Sequence, residues 1–78
     1  MALVDLTQLG SGEEGVVRDI LGGRGLMSKL SSLGIRPGVK VRKVSSQFLR
    51  GPVTIRISNT QIAIGFGMAR RIIVEVKA

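Results

Sequence analysis

The sequence predicts a mainly β protein, a small and partly open barrel of about five short strands with one short α-helix. Short runs alternate apolar and polar residues, as in Val53-Thr54-Ile55-Arg56-Ile57, which is the period-two signature of a half-buried strand. Only Leu26 to Leu33 carries apolar residues at helical spacing. The chain is 78 residues long, and turns join the runs, too short for the crossovers that a parallel α/β sheet requires.

Leu3, Leu6 and Leu9 recur every third residue around Asp5 and Thr7 and are read as a short opening strand ending in a turn at Leu9-Gly10-Ser11-Gly12. Glu14 to Ile20 is the second strand. Val16, Arg18 and Ile20 share one of its faces and Val17 and Asp19 the other, a pattern that leaves the buried face open. Gly22-Gly23-Arg24-Gly25 then forms a tight strand-to-helix turn, since glycine admits backbone shapes other residues avoid. In the helix, Leu26, Leu30 and Leu33 fall at i, i+4 and i+7 and line one face. Gly34 stands where a left-handed C-cap favours a residue without Cβ, and Pro37-Gly38 supplies a type II turn.

Val39-Lys40-Val41-Arg42 opens the next strand, and Val44 after Lys43 breaks the alternation, which signals a bulge or the strand's end. Pro52 to Ser58 alternates cleanly with Val53, Ile55 and Ile57 inward. Asn59-Thr60 is the turn, and Gln61 to Ile64 completes a hairpin. Gly65 to Arg70 reads as a single 3₁₀-like turn, with Phe66 and Met68 capping the barrel. Ile72 to Val76 is the last strand.

A domain this small buries only about 60% of its unfolded surface. With no cysteine, neither a disulfide nor a thiolate metal site can staple it, so the core rests on its many Ile, Val and Leu side chains. Cysteine absence also fits a reducing compartment. The longest uncharged stretch, Ile57 to Ala69, carries Ser58, Asn59, Thr60 and Gln61 and is too short to span a bilayer. Met1-Ala2-Leu3-Val4-Asp5 lacks the basic start of a signal peptide. A soluble, cytoplasmic protein is expected. Twelve Lys and Arg against five Asp and Glu give a net charge of +7, which suits nucleic acid, an anionic membrane surface or an acidic protein partner alike.

Gly22-Gly23, Leu30, Leu33-Gly34-Ile35, Pro37-Gly38, Gly51-Pro52-Val53, Ile62-Ala63-Ile64-Gly65 and Met68-Ala69, followed by a β-branched strand, resemble the ferrous iron transport protein A (FeoA) family from about Leu6 to Val76. The resemblance implies a single SH3-like β-barrel domain over residues 1–78. It also implies a cytoplasmic location and a partnership with the membrane ferrous iron transporter (FeoB), which carries a GTP-binding domain. The protein would then be peripheral to the membrane through its partner. The same barrel serves as an accessory domain in metal-dependent repressors of the diphtheria-toxin-repressor type; no helix-turn-helix region precedes it here, so the stand-alone form fits better.

Catalysis is not expected, because a chain without His or Cys lacks the usual general base and the usual nucleophile. The acids Asp5, Glu13, Glu14, Asp19 and Glu75 read as solvated charge. Ferrous iron favours imidazole with carboxylate, so neither a metal site nor a cofactor is expected. The glycine cluster lacks the Gly-Lys-Ser/Thr ending of a nucleotide loop. Phe48 and Phe66 are the only aromatic residues, too few for a polyproline groove or for stacking on single-stranded nucleic acid. A basic barrel that grips nucleic acid by its phosphates remains the alternative function.

A binding module is the reading that remains, with Arg24, Met27, Phe48, Leu49 and Arg50 as its partner-contacting residues. Phe48 and Leu49 are large apolar residues on the loop Ser45 to Gly51, flanked by Arg50, and either form an interface or fold back to plug an end of the barrel. Met27 is either core or the edge of a cleft between helix and barrel. The sequence leaves the oligomeric state open.

Overall fold

A computed structural model of the protein describes residues 2–46 and 51–77. The elements in order are strand β1 (Ala2–Asp5), a 3₁₀ turn (Leu6–Gln8), β2 (Glu14–Ile20), helix α1 (Arg24–Ser32), β3 (Lys40–Ser46), β4 (Val53–Ile57), β5 (Thr60–Ile64), a one-turn helix α2 (Phe66–Ala69) and β6 (Ile72–Val76). The strands form one antiparallel sheet in the order β1-β6-β2-β3-β4-β5. Principal extents of 28 × 27 × 23 Å show that the sheet coils around its core rather than lying flat. β1 and β5 remain its two edges among the described residues, so the barrel is partly open, and its six strands correspond to the six segments read as strands in the sequence.

The core is aliphatic: Leu6, Leu9, Val17, Ile20, Leu30, Ile35, Val41, Val53, Ile55, Ile64, Ala69, Ile72 and Val74 pack as one cluster. Leu6 and Leu9 belong to it, whereas Leu3 is 64% exposed. Their three-residue spacing therefore marks not a strand but the 3₁₀ turn, in which residues i and i+3 eclipse. Asp5 caps that turn by accepting from the Thr7 N–H and hydroxyl, while Gln8 accepts from the Asp5 N–H at 3.0 Å.

The open question of which β2 face is buried is settled by a register shift between Val17 and Asp19 against β6. Val17 and Ile20 are both buried across that shift, and Arg18 and Asp19 are exposed, so neither alternating set is right by itself.

Helix α1 ends as the residues dictate. Gly34 takes φ +91°, the Gly34 N–H donates to Ser31 C=O and the Ile35 N–H to Leu30 C=O, both at 2.9 Å. This is a Schellman motif, and its accompanying apolar contact is Leu30 with Ile35. The reversal changes the expected core. Ile35 is fully buried, while Leu33 is 42% exposed because it precedes the turn and faces outward. Gly38 takes φ +96°, and the Val39 N–H closes the turn onto Arg36 C=O. The β4–β5 turn is Ser58-Asn59, with Ser58 at φ +53° and Thr60 already paired with Ile57, one residue earlier than the sequence suggested. Gly65 to Arg70 contains an α-helical turn, not a 3₁₀ one; Phe66 and Met68 are half-buried and Ala69 is the residue that turns inward.

Candidate partner-binding surface

Of the five residues singled out from the sequence, Arg24 and Met27 lie within the described chain. Gly23 is the N-cap of α1, so Arg24 is its first helical residue and Met27 follows one turn later; both are exposed. Met27, at 40% exposure, is outside the core and edges the surface, whereas Leu26 beside it packs on the core. Phe48, Leu49 and Arg50 lie outside the described residues. The helix is set close to the end of β2 by Gly22, where an added Cβ would come within 2.7 Å of Leu26 Cδ2.

Sequence reasoning missed a second group at the same strand end. The Leu21 N–H donates to Arg71 C=O at 2.7 Å, which ties the end of β2 to the turn after α2. Leu21, Gly22, Gly67, Arg70 and Arg71 then line a cleft of about 500 Å³. Leu21 is 51% exposed there, a bare leucine beside two cations. Its exposure had one signal, an apolar residue directly after the buried Ile20, where alternation calls for an outward side chain. Arg70 and Arg71 gave none, because a long-range backbone bond brings them in.

Carboxylates do little to neutralise this exterior. Glu75 pairs with Arg18 at 2.7 Å; Asp5 caps the 3₁₀ turn, Glu13 accepts from the Gly10 N–H and Asp19 from the Ile20 N–H. Glu14 alone makes no side-chain hydrogen bond or ion pair among the described residues. Exposed cations therefore dominate the surface, Arg24, Arg36, Arg42, Arg56, Arg70 and Arg71 among them.

One cation is different. Lys43 is 3% exposed, and its ammonium donates to Leu9 C=O at 2.6 Å and Thr7 C=O at 3.1 Å. It holds the carbonyl end of the 3₁₀ turn, where a positive charge is favoured. Burial lowers its pKa, and Asp5 and Glu13 partly counter the shift. The parity break noted at Val44 is a bulge between Lys43 and Ser45, so Lys43 keeps the inward register of Val41 and Val44 is pushed out.

Among the described residues no three His, Cys, Asp or Glu side chains converge on a metal position, and no helix is long and apolar enough to cross a membrane.

A coiled six-stranded antiparallel sheet around an aliphatic core, with one turn-capped helix and a cationic exterior, defines a small SH3-like β module. The family model described as the FeoA domain matches residues 4–76, and the chain belongs to the FeoA family. The curated Fe(2+) transport protein A of Methanocaldococcus jannaschii is 44% identical over 64 residues, 82% of this chain and 76% of that protein. The crystal structure of an iron uptake regulatory protein (FeoA) superimposes with a TM-score of 0.87 at 36% identity, covering 96% of this chain and 97% of that one. A manganese-dependent transcriptional repressor shares the fold, with a TM-score of 0.86 at 20% identity over 96% of this chain and 42% of its own.

Proposed function

We propose that this protein is a small, non-catalytic adaptor of ferrous iron uptake, acting as a single FeoA-type domain. It works in the cytoplasm, docked on the GTP-binding cytoplasmic region of an FeoB-type transporter, and is peripheral to the membrane through that partner. The observation that carries the reading is the FeoA match across residues 4–76, joined to a 44% identical Fe(2+) transport protein A. The exposed Arg24 and Met27 on α1, with Phe48, Leu49 and Arg50, supply the contact. Interfaces draw their energy from a few desolvated aromatic and arginine anchors, and this set contains one aromatic residue and two arginines.

A pulldown with the transporter's cytoplasmic region tests it. Truncating Phe48 or Arg50 to alanine is expected to cost about 1–2 kcal/mol of binding, while melting curves hold within about 0.5 kcal/mol of wild type. Collapse of the Phe48→Ala melt would place that side chain in the core, and failure of the wild-type protein to bind would end the adaptor reading.

A further inference from the structure

The outer face of the sheet carries a transverse row of paired residues. Glu14 of β2 pairs with Arg42 of β3, Arg42 with Arg56 of β4, and Arg56 with Gln61 of β5. All four are exposed. Like charges directly opposite one another on a sheet are destabilising, yet Arg42 and Arg56 stand side by side. The single acid in the row flanks Arg42, on the side away from β5. Arg56 faces the sheet edge, and among the described residues neither arginine has a carboxylate within ion-pair distance. Arg42, Arg56 and Gln61 line one hollow of about 260 Å³.

That edge is itself unguarded. Among the described residues β5 pairs only with β4 and ends the sheet. Natural edge strands are blunted by lysine, proline, inward charge or a bulge, and Thr60-Gln61-Ile62-Ala63-Ile64 has none of these in an unbroken register. The two-residue turn makes Ile57 and Thr60 the closing hydrogen-bonded pair. By alternation, the N–H and C=O groups of Gln61 and Ala63 point away from β4, and both residues are exposed.

We propose that β5 accepts an extended acidic segment of another protein as a seventh strand. Its main chain would bond to Gln61 and Ala63, and its carboxylates would lie on the outer face toward Arg56 and Arg42. A residue opposite Gln61 would sit two strand spacings from Arg56, about 10 Å, within the combined reach of an arginine and a glutamate. Intervening residues of the segment would fall on the other face beside the half-buried Ile62, so the fitting pattern alternates acid with apolar. Charge selects this occupant over a second copy of the chain, which would bring another net +7 to the same edge. The residues of this site belong to β3, β4 and β5, not α1, and the proposal does not depend on the identity of the partner proposed for α1.

The test is an NMR titration of the full chain with a short blocked peptide alternating valine with glutamate. Expected are shifts along β5 and slowed amide exchange at Gln61 and Ala63. Affinity should fall about tenfold or more in Arg56→Glu, and as far in Ala63→Pro, which removes the outward donor. Lys29→Glu on α1 makes the same change in net charge and should bind nearly as wild type. Urea melts of each variant confirm that the domain is folded, and Arg56→Gln serves if the charge reversal is not. Four outcomes would overturn the proposal. These are equal binding of a valine–lysine peptide, an Ala63→Pro protein that still binds, a peptide-free dimer paired through β5, or an RNA oligonucleotide protecting the same two amides more strongly than the peptide.

Discussion

Replacing Lys43 with methionine isolates what a buried ammonium contributes to this fold. Methionine preserves most of the aliphatic stem and adapts to irregular packing, while removing the donor that Leu9 C=O and Thr7 C=O share. A buried acceptor left without a partner costs about 1–3 kcal/mol. Leu9 is buried and Thr7 half-buried, so water can reach the second oxygen and its share lies at the low end. Part of the loss is returned because a charge no longer has to be desolvated. The net expectation is a destabilisation of about 2 kcal/mol, which for a domain of this size lowers Tm by about 8–16 °C. Urea denaturation followed by circular dichroism at neutral pH measures it, with an unchanged m-value as the sign that only stability moved. The pH dependence gives a second reading. Lys43 has a folded pKa below its unfolded one. Between the two values the unfolded state binds more protons, and stability rises with pH. Methionine cannot titrate, so the deficit of the variant should widen as pH climbs toward the ordinary lysine range. A variant as stable as wild type, or a deficit that shrinks with rising pH, would refute the role given to this side chain.

Gly34→Val should lose about 2 kcal/mol in the same assay, because a β-branched residue is poorly tolerated at φ +91°. Open space around the position means that the loss comes from the backbone, so Gly34→Asn should recover most of it. Anaerobic calorimetry with Fe²⁺ should show no stoichiometric sub-micromolar binding, since the chain offers no imidazole or thiolate; a tight one-to-one isotherm would contradict this.

Strands with unbroken alternation were legible in the sequence. β4 lies where apolar and polar residues alternate, β2 and β6 fall within the segments read as strands, and the glycines at 34 and 38 announced the turns they make. What escaped was set by single-residue irregularities. The shift between Val17 and Asp19 buries residues from both parities of β2. The Schellman reversal exchanges Leu33 for Ile35 in the core, although the helical stripe favours Leu33. Ser58, a non-glycine residue at positive φ, moved the hairpin turn by one position. Lys43 followed the inward parity of Val41, but a charged residue is not ordinarily assigned to a core without a visible partner, and its partners are main-chain oxygens. Of the surface, Met27 was legible as a helix residue off the leucine stripe, whereas Arg24, read as part of the glycine turn, opens the helix, which begins two residues before Leu26. The Leu21, Arg70 and Arg71 cleft and the Arg42–Arg56 row depend on pairings between distant segments, which no local pattern encodes.

The placement of β6 between β1 and β2 governs the order in which this protein can fold. The β4–β5 hairpin and its pairing with β3 join neighbours in sequence and can form early, because closing short loops costs little entropy. Among the described residues β1 is paired only to β6, from Ala2 with Val76 to Asp5 with Ile73, so that pairing waits until the last strand arrives. During synthesis the β3–β5 meander can assemble while β1 and the outer side of β2 wait. The step that joins β6 to both buries Ile72 and Val74 in the core and closes the longest loops in the molecule. That step is the natural barrier to folding, and until it is crossed the nascent protein carries exposed strand edges on both sides of the gap that β6 will fill.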